Sequence, residues 1–261
     1  MLWQTEFILH HSIQFNYLTT FVFSATLFLY GLHRIVGIQK VQAFSDKYRY
    51  AIINQYRSHI LFYAIVGGIV AAWFFFYLST TSQLLIVLPA FLSLGYVLPF
   101  FGKKRRLRDF DYLKIFLVAI VWAFITVVLP LVEYDLFSNV SILLLLERML
   151  FIFAITLPFD IRDLKVDASI KVKTIPAMIG IPKTKVLAAV SLCLAFVISG
   201  LLYSAAMYTI PIVIALSISY TTTYLFIHIC DQTDHDYYFT ALMDGTTVSY
   251  THLTLPTILL V

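Results

Sequence analysis

The sequence contains little charge. Only 12% of its 261 residues are Asp, Glu, Lys or Arg, whereas soluble domains carry about 25%. Apolar residues make up 61% of the chain, and the mean hydropathy is +0.88. A soluble fold of this length cannot hide so much apolar surface, which excludes the water-soluble globular class. Lipid must therefore be the solvent for much of the chain.

Cysteine is also scarce, with only Cys193 and Cys230 in the chain. Neither lies in a Cys-x-x-Cys pair or in a standard zinc-ligand spacing, so the sequence implies neither a disulfide framework nor a zinc module. The net charge of +4 is modest. We expect membrane lipid as a partner, and no nucleic acid.

The apolar residues are grouped in runs of about 20, the length that an α-helix needs to cross a bilayer. Seven spans are predicted near residues 13–33, 58–78, 83–101, 112–132, 140–159, 185–204 and 209–229, and an eighth at 241–261. The fold class predicted is therefore all-α, a polytopic transmembrane helical bundle of seven to eight spans. Small residues at helical spacing, Gly67-Gly68 and Ala71-Ala72, indicate close helix packing in the second span.

The basic residues predict which loops face the cytoplasm. All but one of the 18 Lys and Arg residues lie in three loops, at 34–57, 102–114 and 160–185. The intervening loops at 79–82, 133–139 and 205–208 contain none. Because basic loops stay inside, we expect a multi-pass protein, in a bacterial inner membrane, with these three loops cytoplasmic. The loop at 102–108 would mainly set topology and meet anionic lipid heads, with a phosphate-binding role left open for Arg108 and Lys114.

An aspartate-rich segment follows the fifth span. Asp160, Asp163 and Asp167 are spaced by three and four residues, so they line one face if the helix continues. Clustered carboxylates repel each other unless they share a hard cation, and Mg²⁺ prefers one or two carboxylates together with substrate phosphates. Lys171 and Lys173 follow closely and would take the remaining phosphate charge. The alternative on spacing alone is a solvated interfacial turn, in which the aspartates pair with the nearby Arg162 and Lys165.

This segment resembles the second aspartate-rich motif of UbiA-type intramembrane prenyltransferases. The matching residues are Asp160, Asp163, Asp167, Lys173, Thr174 and Pro176. The resemblance implies a helical UbiA-like domain around a cavity that opens to lipid. It also implies Mg²⁺-dependent transfer of an isoprenyl group from an isoprenyl diphosphate to a lipid-soluble acceptor. The three aspartates would be the catalytic and metal-binding residues, and Arg34, Lys171 and Lys173 would bind the phosphates.

The first motif of that family, Asn-x-x-x-Asp-x-x-x-Asp, is missing here. No acidic residue lies between Glu6 and Asp46, and one alignment puts Gly31, Ile35 and Gln39 at the motif positions. We therefore expect that this chain transfers the isoprenyl group weakly or not at all. A non-catalytic relative that binds a lipid diphosphate and a helical transporter are the alternative functions. His33 is interpreted as an ordinary interfacial residue.

Both ends of the chain depart from the family pattern within a single domain of residues 1–261. The comparison with UbiA-type proteins leads us to expect that one N-terminal helix is missing. Residues 247–261 resemble a translated sequencing adapter, so we expect an artefactual segment there.

Within the fifth span, Glu147 and Arg148 are expected to pair with polar groups on other helices or to contact the acceptor.

Overall fold

The computed structural model describes residues 1–10, 15–41, 53–100, 106–169, 172–232 and 237–255, without the side chains of 37–41, 166 and 169. Every regular element in these ranges is helical. The helices are α1 (Leu2–His10), α2 (Tyr17–Val41), α3 (Arg57–Phe75), α4 (Thr80–Val97), α5 (Leu113–Glu133), α6 (Asn139–Arg162), α7 (Leu164–Ser169), α8 (Ile175–Ile179), α9 (Ile181–Ser204), α10 (Ile210–Ile229) and α11 (Asp244–His252). Wider π-helical turns interrupt α5 at Phe124–Val128 and precede α11 at Tyr238–Met243.

Within the described ranges, seven helices are long and apolar enough to cross a membrane. They are α2 over Tyr17–Val36, α3, α4, α5, α6, α9 and α10, which confirms the seven spans and the all-α class predicted from the sequence. Of the eighth predicted span, residues 256–261 lie outside the described residues, and the described part consists of the π-helical turn Tyr238–Met243 followed by α11. The chain is an integral, multi-pass membrane protein.

Chain contacts divide the protein into two compact units. The larger unit comprises Met1–Ile13 and Ile115–Val261, and the smaller unit comprises Gln14–Lys114.

Helices α2 and α3 pack closely in the smaller unit because glycines remove the side chains between them. A Cβ atom built on Gly67 would lie 2.9 Å from the carbonyl oxygen of Ser24 and 3.2 Å from the amide nitrogen of Phe28. A Cβ atom on Gly31 would lie 2.8 Å from the Cβ of Ala64. The backbones therefore approach each other at the small residues, as the sequence predicted for Gly67.

Helix α6 is the most buried span of the larger unit after α5, and it packs mainly against α9. Near its middle, the side chain of Glu147 is fully buried. Its carboxylate accepts hydrogen bonds from the hydroxyls of Tyr208, Tyr220 and Tyr250, with Tyr250 at 2.6 and 2.8 Å. Three helices and a loop of this unit are therefore joined through one carboxylate.

Arg148 is the largest fully buried side chain among the described residues. It donates to the side chain of Gln4 at 2.6 Å, to the carbonyl of Met1 at 3.1 Å and to the Thr126 hydroxyl at 3.3 Å. Its Nε donates to the hydroxyl of Tyr250 at 3.1 Å. These contacts favour the structural interpretation of the mid-span charges, because a buried charge persists where its hydrogen bonds are made. The adapter-like origin of residues 247–261 stays a prediction.

Candidate functional site at the end of helix α6

The three aspartates lie where α6 passes into α7: Asp160 is in the last turn of α6, Asp163 is the residue that caps it, and Asp167 is in α7. The amide of Asp163 donates to the carbonyl of Phe159 at 2.9 Å, and the amide of Asp167 donates to the carbonyl of Asp163 at 2.9 Å. Helical hydrogen bonding thus carries the chain through Asp163 into α7. The sequence prediction of one face required a single helix through all three aspartates, whereas α6 ends at Arg162 and α7 begins at Leu164; that they share one face stays a prediction.

The three aspartates differ in their exposure. Asp160 and Asp167 are buried, with 3% and 4% of their surface exposed, whereas the side chain of Asp163 is 25% exposed. Each of the three interacts with other groups of the chain. Two buried carboxylates at the end of a membrane span are costly unless they are bound by partners or ligands. Their burial is therefore typical of a site that holds positive charge.

Arg162 binds the middle aspartate. Its Nε donates to one carboxylate oxygen of Asp163 at 2.8 Å, and its Nη2 donates to the other at 3.3 Å. The guanidinium carbon lies 5.2 Å from the ring centroid of Phe159 and 5.1 Å from that of Phe239. Two aromatic rings and a carboxylate thus fix the position of this arginine. The alternative interpretation from the sequence predicted a pairing of this kind for Arg162.

The lysine–threonine–proline part of the motif follows the aspartates. The amide of Val172 donates to the carbonyl of Asp167 at 2.9 Å. Lys173 is exposed, and Lys171 lies outside the described residues. Thr174 is 2% exposed, and its hydroxyl has no hydrogen-bond partner within the described parts of the chain. A buried hydroxyl without a partner is unusual and often marks a missing water, ion or ligand.

The residues fit a magnesium ion that is bound together with a phosphate-containing ligand. Across the described ranges, no three His, Cys, Asp or Glu side chains gather closely enough to hold a metal by themselves. Mg²⁺ does not require such a cage, since it commonly takes one or two carboxylates and fills its shell with water and phosphate oxygens. The buried Asp160 and Asp167 are suited to supply these one or two carboxylate ligands, and the unpartnered hydroxyl of Thr174 is suited to bind a water or a phosphate oxygen beside them.

Arg34, the phosphate ligand predicted in the smaller unit, lies against its own helix. It donates to the hydroxyl of Tyr30, and its guanidinium carbon lies 4.8 Å from the centroid of that ring. Its side chain is half-buried.

Sequence reasoning missed a contact in the smaller unit. Nη1 of Arg108 lies 2.7 Å from Nε2 of His33, although 75 residues separate them in the chain. His33 was interpreted as an ordinary interfacial residue, and the basic loop as a topology signal. The high density of basic residues in the loop before α5 was the sequence feature that marked Arg108 as a candidate for such a contact. Nothing in the spacing indicated which histidine would meet it.

A comparison with solved structures finds a similar fold in a digeranylgeranylglyceryl phosphate synthase in membranes. The TM-score is 0.59, the sequence identity is 12%, and the match covers 94% of this chain and 85% of that one. At this identity the likeness establishes the fold. No protein-family model and no curated protein matches the sequence.

Proposed function

We propose that this protein is a UbiA-like membrane prenyltransferase that moves an isoprenyl group from a diphosphate to a lipid-soluble acceptor with the help of Mg²⁺. The similar fold of a UbiA-type synthase over 94% of the chain supports the general class. The observation that carries the proposal is local. The end of α6 holds two buried aspartates and a buried hydroxyl without a partner, Asp160, Asp167 and Thr174.

Each residue of the segment has a role in this proposal. Asp160, Asp163 and Asp167 would hold Mg²⁺, which when bound supplies Lewis-acid assistance to a leaving diphosphate. Lys173, exposed after the aspartates, would place its ammonium on a phosphate oxygen, and Lys171 is proposed for the same task. The phosphate-binding role of Arg34, in the smaller unit, stays a prediction from the sequence. The hydroxyl of Thr174 would donate to a phosphate oxygen or to a water bound beside it.

The order of events follows from the charge of the substrate. The carboxylates and cations of the protein orient the diphosphate, so that charge is stabilised where it develops as the C–O bond breaks. The isoprenyl cation then forms a new bond to the acceptor, which loses a proton to restore its neutral form. The apolar surroundings protect the cation from water.

A non-catalytic relative that binds a lipid diphosphate is the second candidate. It is favoured by the lack of any acidic residue between Glu6 and Asp46, where the family resemblance would place a second metal-binding cluster. Such a protein would bind diphosphates through the same aspartates without turnover.

A helical transporter is a weaker candidate, because the sequence shows no internal repeat of the type that many transporters have.

The deciding experiment is an assay of the purified protein in lipid with Mg²⁺, labelled isoprenyl diphosphates of several lengths and a panel of aromatic lipid-soluble acceptors. We expect prenylated product at a rate well below about one per second, a low value for an enzyme. The reason is that losing a single stabilising group at a developing charge costs about 10²–10³ in rate. Diphosphate binding without any product would favour the non-catalytic relative. Absence of both binding and product would refute both proposals.

A further inference from the structure

The ring of Phe239 reaches the acidic segment from a distant part of the larger unit. Phe239 lies in the π-helical turn Tyr238–Met243, outside the aspartate-rich motif, and only 1% of its surface is exposed. Its ring centroid lies 5.1 Å from the guanidinium carbon of Arg162, which is within the range of a cation–π contact. A residue that the proposed reaction does not use therefore touches the arginine that binds Asp163.

The pairing of Arg162 with Asp163 does not follow from helical geometry. Adjacent residues of a helix point in different directions, and Asp163 is the residue that caps α6. The side chain of Arg162 must therefore turn toward its neighbour to donate to both carboxylate oxygens, at 2.8 and 3.3 Å. Holding a long side chain in one such geometry costs conformational entropy. Further contacts to the guanidinium are needed to keep it there.

Two aromatic rings supply these contacts. Phe159 precedes Arg162 by one turn of α6, so its 5.2 Å contact with the guanidinium carbon is a local one. Phe239 contacts the guanidinium from outside the helix and packs on Phe159, with ring centroids 5.9 Å apart. An ion pair whose members are 22% and 25% exposed is weak by itself, and a cation–π contact is of similar strength. The rings therefore account for a large share of what holds Arg162 in place.

Phe239 is itself held in position by α10. The hydroxyl of the preceding residue, Tyr238, donates to the carbonyl of Phe226 near the end of α10. The rings of Tyr238 and Phe239 meet edge to face, with centroids 5.2 Å apart. The π-helical turn that carries both residues is an uncommon form of helix, which recurs at functional positions. The position of Phe239 is thus fixed by α6 and α10 as well as by its own segment.

We propose that Phe239 is a positioning residue of the acidic site. Its ring keeps the guanidinium of Arg162 on Asp163, and the retained guanidinium lowers the affinity of Asp163 for a divalent cation, because both cations compete for one carboxylate. The second half of this inference rests on the proposed function, in which Asp163 binds Mg²⁺. The first half, the retention of Arg162 by Phe239, requires no metal.

The first test measures Arg162 directly, with a chelator present. Phenylglyoxal modifies accessible guanidinium groups, and mass spectrometry of the full chain in nanodiscs gives the rate at Arg162. Phe239→Leu removes the ring and should raise this rate about twofold to fivefold, the equivalent of one lost cation–π contact. Phe239→Tyr keeps a ring and should retain the wild-type rate. The matched control is Phe196→Leu, at an exposed phenylalanine of α9, which should also leave the rate unchanged.

The second test measures Mn²⁺ binding by electron paramagnetic resonance in the absence of diphosphate. Phe239→Leu should raise the Mn²⁺ affinity by up to about fivefold, the equivalent of the same lost contact. In the Arg162→Gln background, this substitution should have no further effect, since the competing charge is already gone. A structural role alone would lower the thermal midpoint of Phe239→Leu in both backgrounds, without this dependence of the affinity on Arg162.

Tyr238→Phe decides the matter if Phe239→Leu does not fold. It removes only the hydroxyl that anchors the turn to the carbonyl of Phe226. The rate at Arg162 and the Mn²⁺ affinity should both change in the same direction as in Phe239→Leu, by a smaller factor.

The proposal is overturned if Phe239→Leu leaves the modification rate of Arg162 unchanged, or if it shifts the Mn²⁺ affinity equally with and without Arg162. A faster rate at Arg162 in a protein that binds no Mn²⁺ in any variant would refute the metal site of the proposed function and leave the positioning of Arg162 in place. An unchanged rate together with normal Mn²⁺ binding would refute the positioning role and leave the proposed function standing.

Discussion

The guanidinium of Arg162 holds both carboxylate oxygens of Asp163, at 2.8 and 3.3 Å, and its carbon lies 5.2 and 5.1 Å from the ring centroids of Phe159 and Phe239. The middle aspartate of the acidic segment is therefore neutralised by its neighbour in the chain. A divalent cation that binds Asp163 competes with this guanidinium for the same carboxylate. Once displaced, Arg162 would be available for a phosphate oxygen, so the pair links the binding of metal to that of an anion.

Arg162→Gln should increase the affinity for a divalent metal in the absence of diphosphate. The substitution removes the positive charge that competes for Asp163, and we expect a gain of up to about fivefold, which corresponds to the ~1 kcal/mol of a partly exposed ion pair. Mn²⁺ binding followed by electron paramagnetic resonance measures this directly. The control is Lys183→Gln, which removes a basic residue at the start of α9. An unchanged Mn²⁺ affinity in Arg162→Gln would show that Asp163 is not a metal ligand.

Asp163→Asn should weaken the binding of a prenyl diphosphate analogue when Mg²⁺ is present and leave it unchanged with a chelator. The amide keeps the shape of the side chain but removes the charge that a metal requires. Calorimetric titration of the analogue under both conditions provides the comparison. Equal weakening under both conditions would assign Asp163 a plain structural role beside Arg162.

The three basic loops should react from the cytoplasmic side alone. Single cysteines at Tyr56, Phe110 and Ala177, all exposed positions, should be protected from a membrane-impermeant maleimide in intact cells and should react after permeabilisation. A cysteine at the exposed Leu136, in a loop without basic residues, should react in intact cells. Labelling from outside at any of the first three positions would contradict the predicted orientation.

The native cysteine at the end of α10 should give little background in that experiment. Burial raises the pKa of the Cys230 thiol to about 11, and only 1% of the residue is exposed. Because the thiolate is the reactive form, alkylation of Cys230 should be slow at neutral pH and should accelerate as the pH approaches 11. Mass spectrometry of the permeabilised wild type at increasing pH tests this. Rapid modification at neutral pH would contradict the burial of this side chain.

Gly67→Ala should destabilise the smaller unit. The added Cβ would lie 2.9 Å from the carbonyl of Ser24, and a backbone atom cannot move aside as a flexible side chain can. We expect a loss of about 1–3 kcal/mol, the usual cost of overpacking, seen as a lower thermal midpoint. Gly200→Ala is the matched control, because nothing lies within 4 Å of a Cβ at that helical position. Equal midpoints for the two variants would show that α2 and α3 are not in close contact there.

Arg148→Met should destabilise the larger unit far more than Arg57→Met, the control at an exposed arginine. The substitution removes the charge beside the buried Glu147 and leaves the acceptors on Gln4 and Thr126 without their donor. Removing one member of a buried charged pair costs about 3–5 kcal/mol in soluble proteins. A normal thermal midpoint combined with lost acceptor binding would instead assign Arg148 to the substrate.

The spans could be predicted from the sequence. A bilayer imposes a length of about 20 apolar residues on each helix, and backbone groups in lipid must bond within the helix. The span predicted at 140–159 thus corresponds to α6, whereas the break between α6 and α7 at Asp163 was not predicted. The spans are local properties, determined by residues near each other in the chain.

The partners of the charged side chains were decided by the tertiary structure alone. The sequence shows Glu147 and Arg148 as costly charges within a span. It does not show that the hydroxyls of Tyr208 and Tyr220 donate to Glu147, or that the side chain of Gln4 accepts from Arg148. Likewise, His33 meets Arg108 across 75 residues. Helical spacing describes one element at a time. These contacts arise between elements, because a charge in an apolar medium needs a hydrogen-bond donor or acceptor on another element. The packing of the helices determines which donor or acceptor is within reach.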